Sequence, residues 1–178
     1  DTARATALAL QNGAYVQTSD TDSLYVCSFR TTGSSGQTED SFAKRYVWNY
    51  YNRVPRGLRA TLDTATWTYT TATYRQANAD TANQVDLVIG VAESLLELQL
   101  QVTSTNATAD VQRTVSIGQD STTTQVAGVL MNKGQIMASN HSFLNLATLR
   151  LSPAIGRHYY TWLEYSEAAG TTTWIADE

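Results

Sequence analysis

Four glutamates are the side chains best suited to acid–base chemistry in this 178-residue chain: Glu93, Glu97, Glu164 and Glu167. Glycoside hydrolysis works through two carboxyl groups held about 5 to 10 Å apart, one of them kept protonated. Glu164, between Trp162 and Tyr165, is the member whose surroundings would raise its pKa if it were buried. The simpler reading makes it an acid at a rim or an interface, with Glu97 solvated on a polar strand face. Nucleophilic chemistry has less to stand on. No Gly-x-Ser-x-Gly elbow is present, although serine and threonine are abundant. Any triad would need His158, which follows Gly156-Arg157 and leads into a β run, the setting of an edge or turn histidine.

Metal and cofactor chemistry find no motif. The two histidines, His141 and His158, and the single cysteine, Cys27, make no His-x-x-x-His or Cys-x-x-Cys spacing. Asp20 and Asp22 stand close together, but the glycine and glutamate of a calcium loop do not follow, and both read as solvated loop acids. No phosphate loop or dinucleotide fingerprint occurs. The expectation is therefore no catalytic residue, no metal, no cofactor and no enzyme. Cys27, within Val26-Cys27-Ser28-Phe29, reads as a small buried hydrophobe on a strand; alone, it closes no internal disulfide.

The aromatic side chains offer binding rather than catalysis. Four tryptophans and ten tyrosines give flat surfaces that either stack on a sugar or anchor a core or interface. Core or subunit interface is the reading taken, for Trp48, Tyr50, Trp67, Tyr69, Leu98, Leu100, Trp162 and Trp174. Arg53, Arg56 and Arg59 surround Pro55; they dock an acidic partner surface or are simply solvated. Asn106-Ala107-Thr108 and Asn140-His141-Ser142 fit the glycosylation pattern, which has meaning only in a secreted eukaryotic protein.

Charge narrows the partners. The net charge is −4 and charged residues make up 16 %, against about a quarter in ordinary domains. An acidic chain lacks the basic field that nucleic acid or an anionic membrane surface requires. The longest apolar runs, such as Val88 to Val91, are too short to span a bilayer. No secretory pattern opens the chain, and its start at Asp1 rather than Met reads as trimming.

The elements that must position these residues are strands. Leu96, Leu98, Leu100 and Val102 alternate with Glu97, Gln99 and Gln101, the clearest period of two in the chain. Trp67 to Tyr74, Val85 to Val91, Val111 to Ile117, Gln125 to Met131, His141 to Leu151, Tyr159 to Tyr165 and Thr171 to Ile175 read the same way. Turn residues separate them, including Asn132-Lys133-Gly134 and Ser166 to Gly170. Leu24 to Phe29 is a short run. Glu39 to Arg53 is read as a strand rather than a helix, because its aromatic and β-branched residues suit a pleat. About eight strands with no βαβ alternation predict an all-β, antiparallel, jelly-roll-like β-sandwich over 19–178, with 1–18 as an N-terminal arm or linker.

Two segments carry a resemblance. One is Glu39-Asp40-Ser41-Phe42-Ala43-Lys44-Arg45-Tyr46-Val47-Trp48-Asn49-Tyr50-Tyr51-Asn52-Arg53-Val54, continued by Trp67-Thr68-Tyr69-Thr70-Thr71-Ala72-Thr73-Tyr74-Arg75-Gln76-Ala77-Asn78. The other is Ile155-Gly156-Arg157-His158-Tyr159-Tyr160-Thr161-Trp162-Leu163-Glu164-Tyr165, ending in Gly170-Thr171-Thr172-Thr173-Trp174. From about Glu39 to its end the chain resembles tailed-bacteriophage virion proteins, whose chains continue a little past the position of Glu178. The resemblance implies a capsid decoration or cement protein, or a head or tail fibre component, built on a β-sandwich that commonly trimerises. The partners it implies are further copies of the chain, the major capsid protein or another virion protein, and, for a fibre, a host-surface glycan. Its location would be the virion, assembled in the bacterial cytoplasm. It transfers no catalytic residues.

Overall fold

The structure is a computed structural model that describes residues 6–60, 64–135 and 138–176. Among these residues it is all-β, with no α-helix and one turn of 3₁₀ helix at Ala77–Ala79. The strands are β1 (Leu8–Gln11), β2 (Ala14–Gln17), β3 (Asp20–Leu24), β4 (Cys27–Phe29), β5 (Lys44–Arg45), β6 (Val47–Asn49), β7 (Thr66–Thr68) and β8 (Arg75–Gln76). They continue with β9 (Gln84–Ile89), β10 (Leu96–Asn106), β11 (Arg113–Gln119), β12 (Leu130–Met131), β13 (Phe143–Leu151), β14 (Gly156–Ser166) and β15 (Thr172–Ile175). These fall into two compact units, the first drawn from 1–58, 86–94 and 152–158, the second from 59–85, 95–151 and 159–178. Strands β9 and β14 contribute residues to each.

The first unit is built from short strands. A three-stranded antiparallel sheet runs β1-β2-β3. Its first hairpin turns at Asn12 and Gly13, both at positive φ (52° and 82°). That backbone matches the twist of the flanking strands and is the conformation asparagine and glycine adopt most readily. Residues 8–17, which lack a strong period and read as part of an arm, therefore form two paired strands. Strands β4 and β6 pair antiparallel, Ser28 opposite Trp48. Strand β5 runs parallel to the Asp86–Leu87 part of β9, which makes that sheet mixed. Asp20 and Asp22 lie on β3 rather than in a loop, with Asp20 accepting from the Asp22 N–H and the Ser23 hydroxyl.

The second unit is sandwich-like. One antiparallel sheet has the order β12-β13-β10-β15-β7. Its centre is the long β10–β13 pairing, Leu96 opposite Leu151 through Ser104 opposite Phe143. A second antiparallel layer sets β11 against β14 on one side and β8 on the other. Between the layers lie Val102, Val115, Ile117, Ala147, Leu149 and Trp174, all buried. Burying apolar area is worth about 25 cal/mol per Å², so this stack stabilises the unit.

Several runs are shorter or longer than their composition predicts. Trp67 to Tyr74 is strand only to Thr68; the Tyr69 N–H still reaches the Thr172 carbonyl at 3.2 Å, and beyond it the chain turns, with the Tyr69 hydroxyl donating to the Thr73 carbonyl at 2.8 Å. Gln125 to Met131 keeps two strand residues and one bridge, Gly118 with Gln125. Strand β10 runs on through Ser104 to Asn106. Glu39 to Arg53 holds two short strands, β5 and β6, and no helix.

Candidate functional site

Tyr50, which follows β6, stands at the centre of an aromatic cluster in the first unit. Its ring meets the Tyr15 ring edge-on at 5.4 Å and the Tyr51 ring edge-on at 5.1 Å. Tyr25 and Trp48 lie 6.0 and 6.1 Å from it, and Tyr25 stacks on Trp48 at an interplanar angle of 27°. Edge-on and offset contacts of this kind satisfy the ring quadrupoles and hold the rings in fixed orientations. Gly90 makes the packing possible, because a Cβ there would collide with the Tyr25 hydroxyl and the Trp48 ring.

A charged pair borders the cluster. The Arg53 guanidinium is 5.7 Å from the Tyr50 ring centroid and donates to Glu93 Oε2 at 2.7 Å and to Ser94 Oγ at 2.8 Å. The Tyr15 hydroxyl donates to Glu93 Oε1 at 2.5 Å. The hydrogen bond from Tyr15 and then that from Arg53 hold the Glu93 carboxyl below its ordinary range, and the same bond raises the Tyr15 phenol. Asn49 Oδ1 accepts the N–H groups of Tyr51 and Asn52, which fixes the chain as it leaves β6.

The first unit also carries an open groove of about 690 Å³, lined by residues 27–31, 88–89 and 155–157. Arg157 on its wall is clamped by the buried Asp86, through Nε at 3.0 Å and Nη2 at 2.5 Å, and the Tyr46 hydroxyl donates to the same carboxylate at 2.9 Å. Cys27 lies on strand β4 as expected but is exposed rather than buried. The reason is that Cys27 and Phe29 share one face of a two-stranded sheet, and both are left in solvent. His158 is not an edge or turn residue. It lies inside β14 and is buried, because that strand begins two residues earlier, at Gly156.

In the second unit Glu164 departs furthest from its expected place. It is fully buried rather than at a rim, because β14 has neighbours on both edges and Trp67 covers it. Its oxygens accept from Trp67 Nε1 at 2.6 Å, Arg75 Nε at 2.7 Å and the Asn78 N–H at 3.1 Å. Burial pushes its pKa up, against the downward pull of those donors. All three partners are donors, so the carboxyl is held by hydrogen bonds on both oxygens. Glu97 is exposed on β10, and Glu167 accepts from the Gln112 N–H.

The eight residues assigned to core or interface divide between the units. Trp48 and Tyr50 join the aromatic cluster, both half-buried. Trp67, Tyr69, Trp162 and Trp174 come together in the second unit. Trp67 meets Trp162 edge-on at 5.5 Å, lies opposite Trp174 in the sheet, and Trp174 Nε1 donates to the Tyr69 carbonyl. Trp67 and Trp174 are buried, Tyr69 and Trp162 half-buried. Leu98 and Leu100 are half-buried on β10, opposite Leu149 and Ala147. Arg53 and Arg56 are paired within the chain, Arg56 with Asp40 at 2.8 Å. The Asn106 amide is buried and bonded to the Ala169 carbonyl and the Thr172 hydroxyl, a structural role that leaves no room for a glycan. Among the described residues no group of three or more His, Cys, Asp or Glu is placed to hold a metal ion, and no helix is long and apolar enough to cross a membrane.

Comparison of the chain with protein-family models, curated proteins and solved structures finds no match.

Proposed function

We propose that the chain is a structural subunit of a phage virion, a homotrimeric, jelly-roll-like module that decorates or cements the capsid. The observation that supports this most is the apolar surface left in solvent by the short strands and loops of the first unit. Leu10, Phe29 and Phe42 are 64 %, 65 % and 67 % exposed, and Leu24, Val26 and Val54 are exposed as well. Exposed apolar side chains mark association surfaces where they adjoin in one patch. In a closed trimer the contacts are heterologous, so a different surface of a neighbouring copy, or the capsid, would cover it. The low charge agrees with this role, as does a lone cysteine in a protein assembled in the reducing bacterial cytoplasm. The resemblance supplies the partner class: the major capsid protein or another virion protein. Immunogold microscopy of phage particles with an antibody to this chain tests the role. Label on heads is expected; label confined to the unassembled fraction of the lysate would refute it.

A second reading, a receptor- or glycan-binding module of a fibre, is favoured by the Tyr15–Tyr25–Trp48–Tyr50–Tyr51 cluster.

A further inference from the structure

The aromatic cluster combines a free ring with a preset polar pair. Tyr51 is 59 % exposed, yet its ring rests edge-on against Tyr50 and its backbone is held by the Asn49 side chain. A ring fixed in this way loses little freedom when a ligand stacks on it. Tyr50 lies within 6 Å of the Tyr15 ring, the Tyr51 ring and the Arg53 guanidinium. Glu93 has one hydrogen bond on each oxygen, from Tyr15 and from Arg53, and its side chain is 37 % exposed. A carboxylate oxygen accepts more than one hydrogen bond, so each retains a lone pair. The pair of charges cancels, which leaves no net attraction for an anionic ligand.

We propose that Tyr51, Arg53 and Glu93 form a binding site for a neutral saccharide, with the sugar face stacked on the Tyr51 ring and its vicinal hydroxyls donating to Glu93. Arg53 holds the carboxylate in place through Nη1, while its Nη2 bonds Ser94. This inference rests on the second reading above and names its site. It also stands independently of whether the chain trimerises on a capsid.

The test is saturation-transfer NMR and titration of the full chain with methyl α-glucoside, methyl α-galactoside, methyl α-mannoside and methyl β-glucuronide. At least one neutral glycoside is expected to bind, more tightly than the glucuronide. Tyr51→Ala should weaken that binding by about tenfold, the equivalent of losing one good aromatic contact. Tyr51→Trp should retain it, and Glu93→Gln should weaken it severalfold. Tyr51 is exposed, so both substitutions there should leave the melting temperature unchanged. Absence of binding by any neutral glycoside would overturn the site and the glycan reading together. Binding that persists unchanged in Tyr51→Ala and Glu93→Gln would overturn the site but not the glycan reading. Preference for the glucuronide would overturn the charge argument, and the site with it.

Discussion

Trp67 and Glu164 stand 97 positions apart in the chain, and the indole N–H of one donates to the carboxylate of the other at 2.6 Å. This bond ties strand β7 of one layer to β14 of the other, and Arg75 completes the charge balance from β8. Replacing Glu164 by Ala would leave the indole, the guanidinium and the Asn78 N–H without their acceptor. The expected loss is about 3–5 kcal/mol, the usual cost of removing one partner of a buried pair. Glu164→Gln keeps an acceptor for Trp67 and should cost less. Urea titrations of the three proteins check both values.

The same carboxyl gives a pH dependence of defined sign. Its folded-state pKa lies above the ordinary 4.5 because burial outweighs its donors. The folded protein therefore binds this proton more readily than the unfolded chain does. Glu164 contributes most to stability below about pH 4.5, and that contribution is lost as pH rises through the folded value. The stability of wild type minus that of Glu164→Gln should fall as pH rises above about 4.5. A difference that grows with pH would mean that the Arg75 ion pair, rather than burial, governs this group.

Trp174 and Trp162 should respond unequally to truncation. Trp174 is fully buried between the layers, whereas Trp162 is half-buried against Trp67. Trp174→Ala should cost about 3–5 kcal/mol, as for a large aromatic in a core. Trp162→Ala should cost less than that and more than about 1 kcal/mol, the centre of the range for point substitutions. Denaturant midpoints at fixed slope distinguish the two.

Much of the second unit can be read directly from its residues, and the first unit much less so. Leu98 and Leu100 against Glu97, Gln99 and Gln101 announce β10, since that strand has one polar face in water. Strand β14 conceals its faces, because Tyr160, Thr161, Leu163 and Glu164 are all buried and no alternation survives. In the first unit, strands of two to five residues are too short to establish a period. The usable signal there was Asn12-Gly13, a hairpin turn that requires positive φ at both residues. The Glu164–Arg75 and Asp86–Arg157 pairs join residues 89 and 71 positions apart. Such pairs depend on strand order, which local pattern does not specify. The exposure of Cys27 has a similar origin: its strand is evident, but the absence of a covering layer is not.

Gly90 provides a test of the aromatic cluster. A methyl group there must displace Tyr25 or Trp48, so Gly90→Ala should destabilise by about 1–3 kcal/mol, the range for overpacking. A shift in tryptophan emission should accompany it, because Trp48 would change its surroundings. Unaltered stability and emission would contradict the packing described.

In protein diluted until it is a single chain, Cys27 should react with Ellman's reagent without denaturant, since it is exposed on β4. One thiol per chain is the expected yield, and this rapid reaction should be lost in Cys27→Ser. Protection until unfolding would show that its face is covered in solution.

The proposed role depends on copies of the chain covering one another's apolar surface, and mass in solution tests that most directly. Light scattering of the purified chain at micromolar concentration should return three times the 19.5 kDa of one chain. A mass of one chain at that concentration would contradict the trimer and remove the main support for a symmetric virion module.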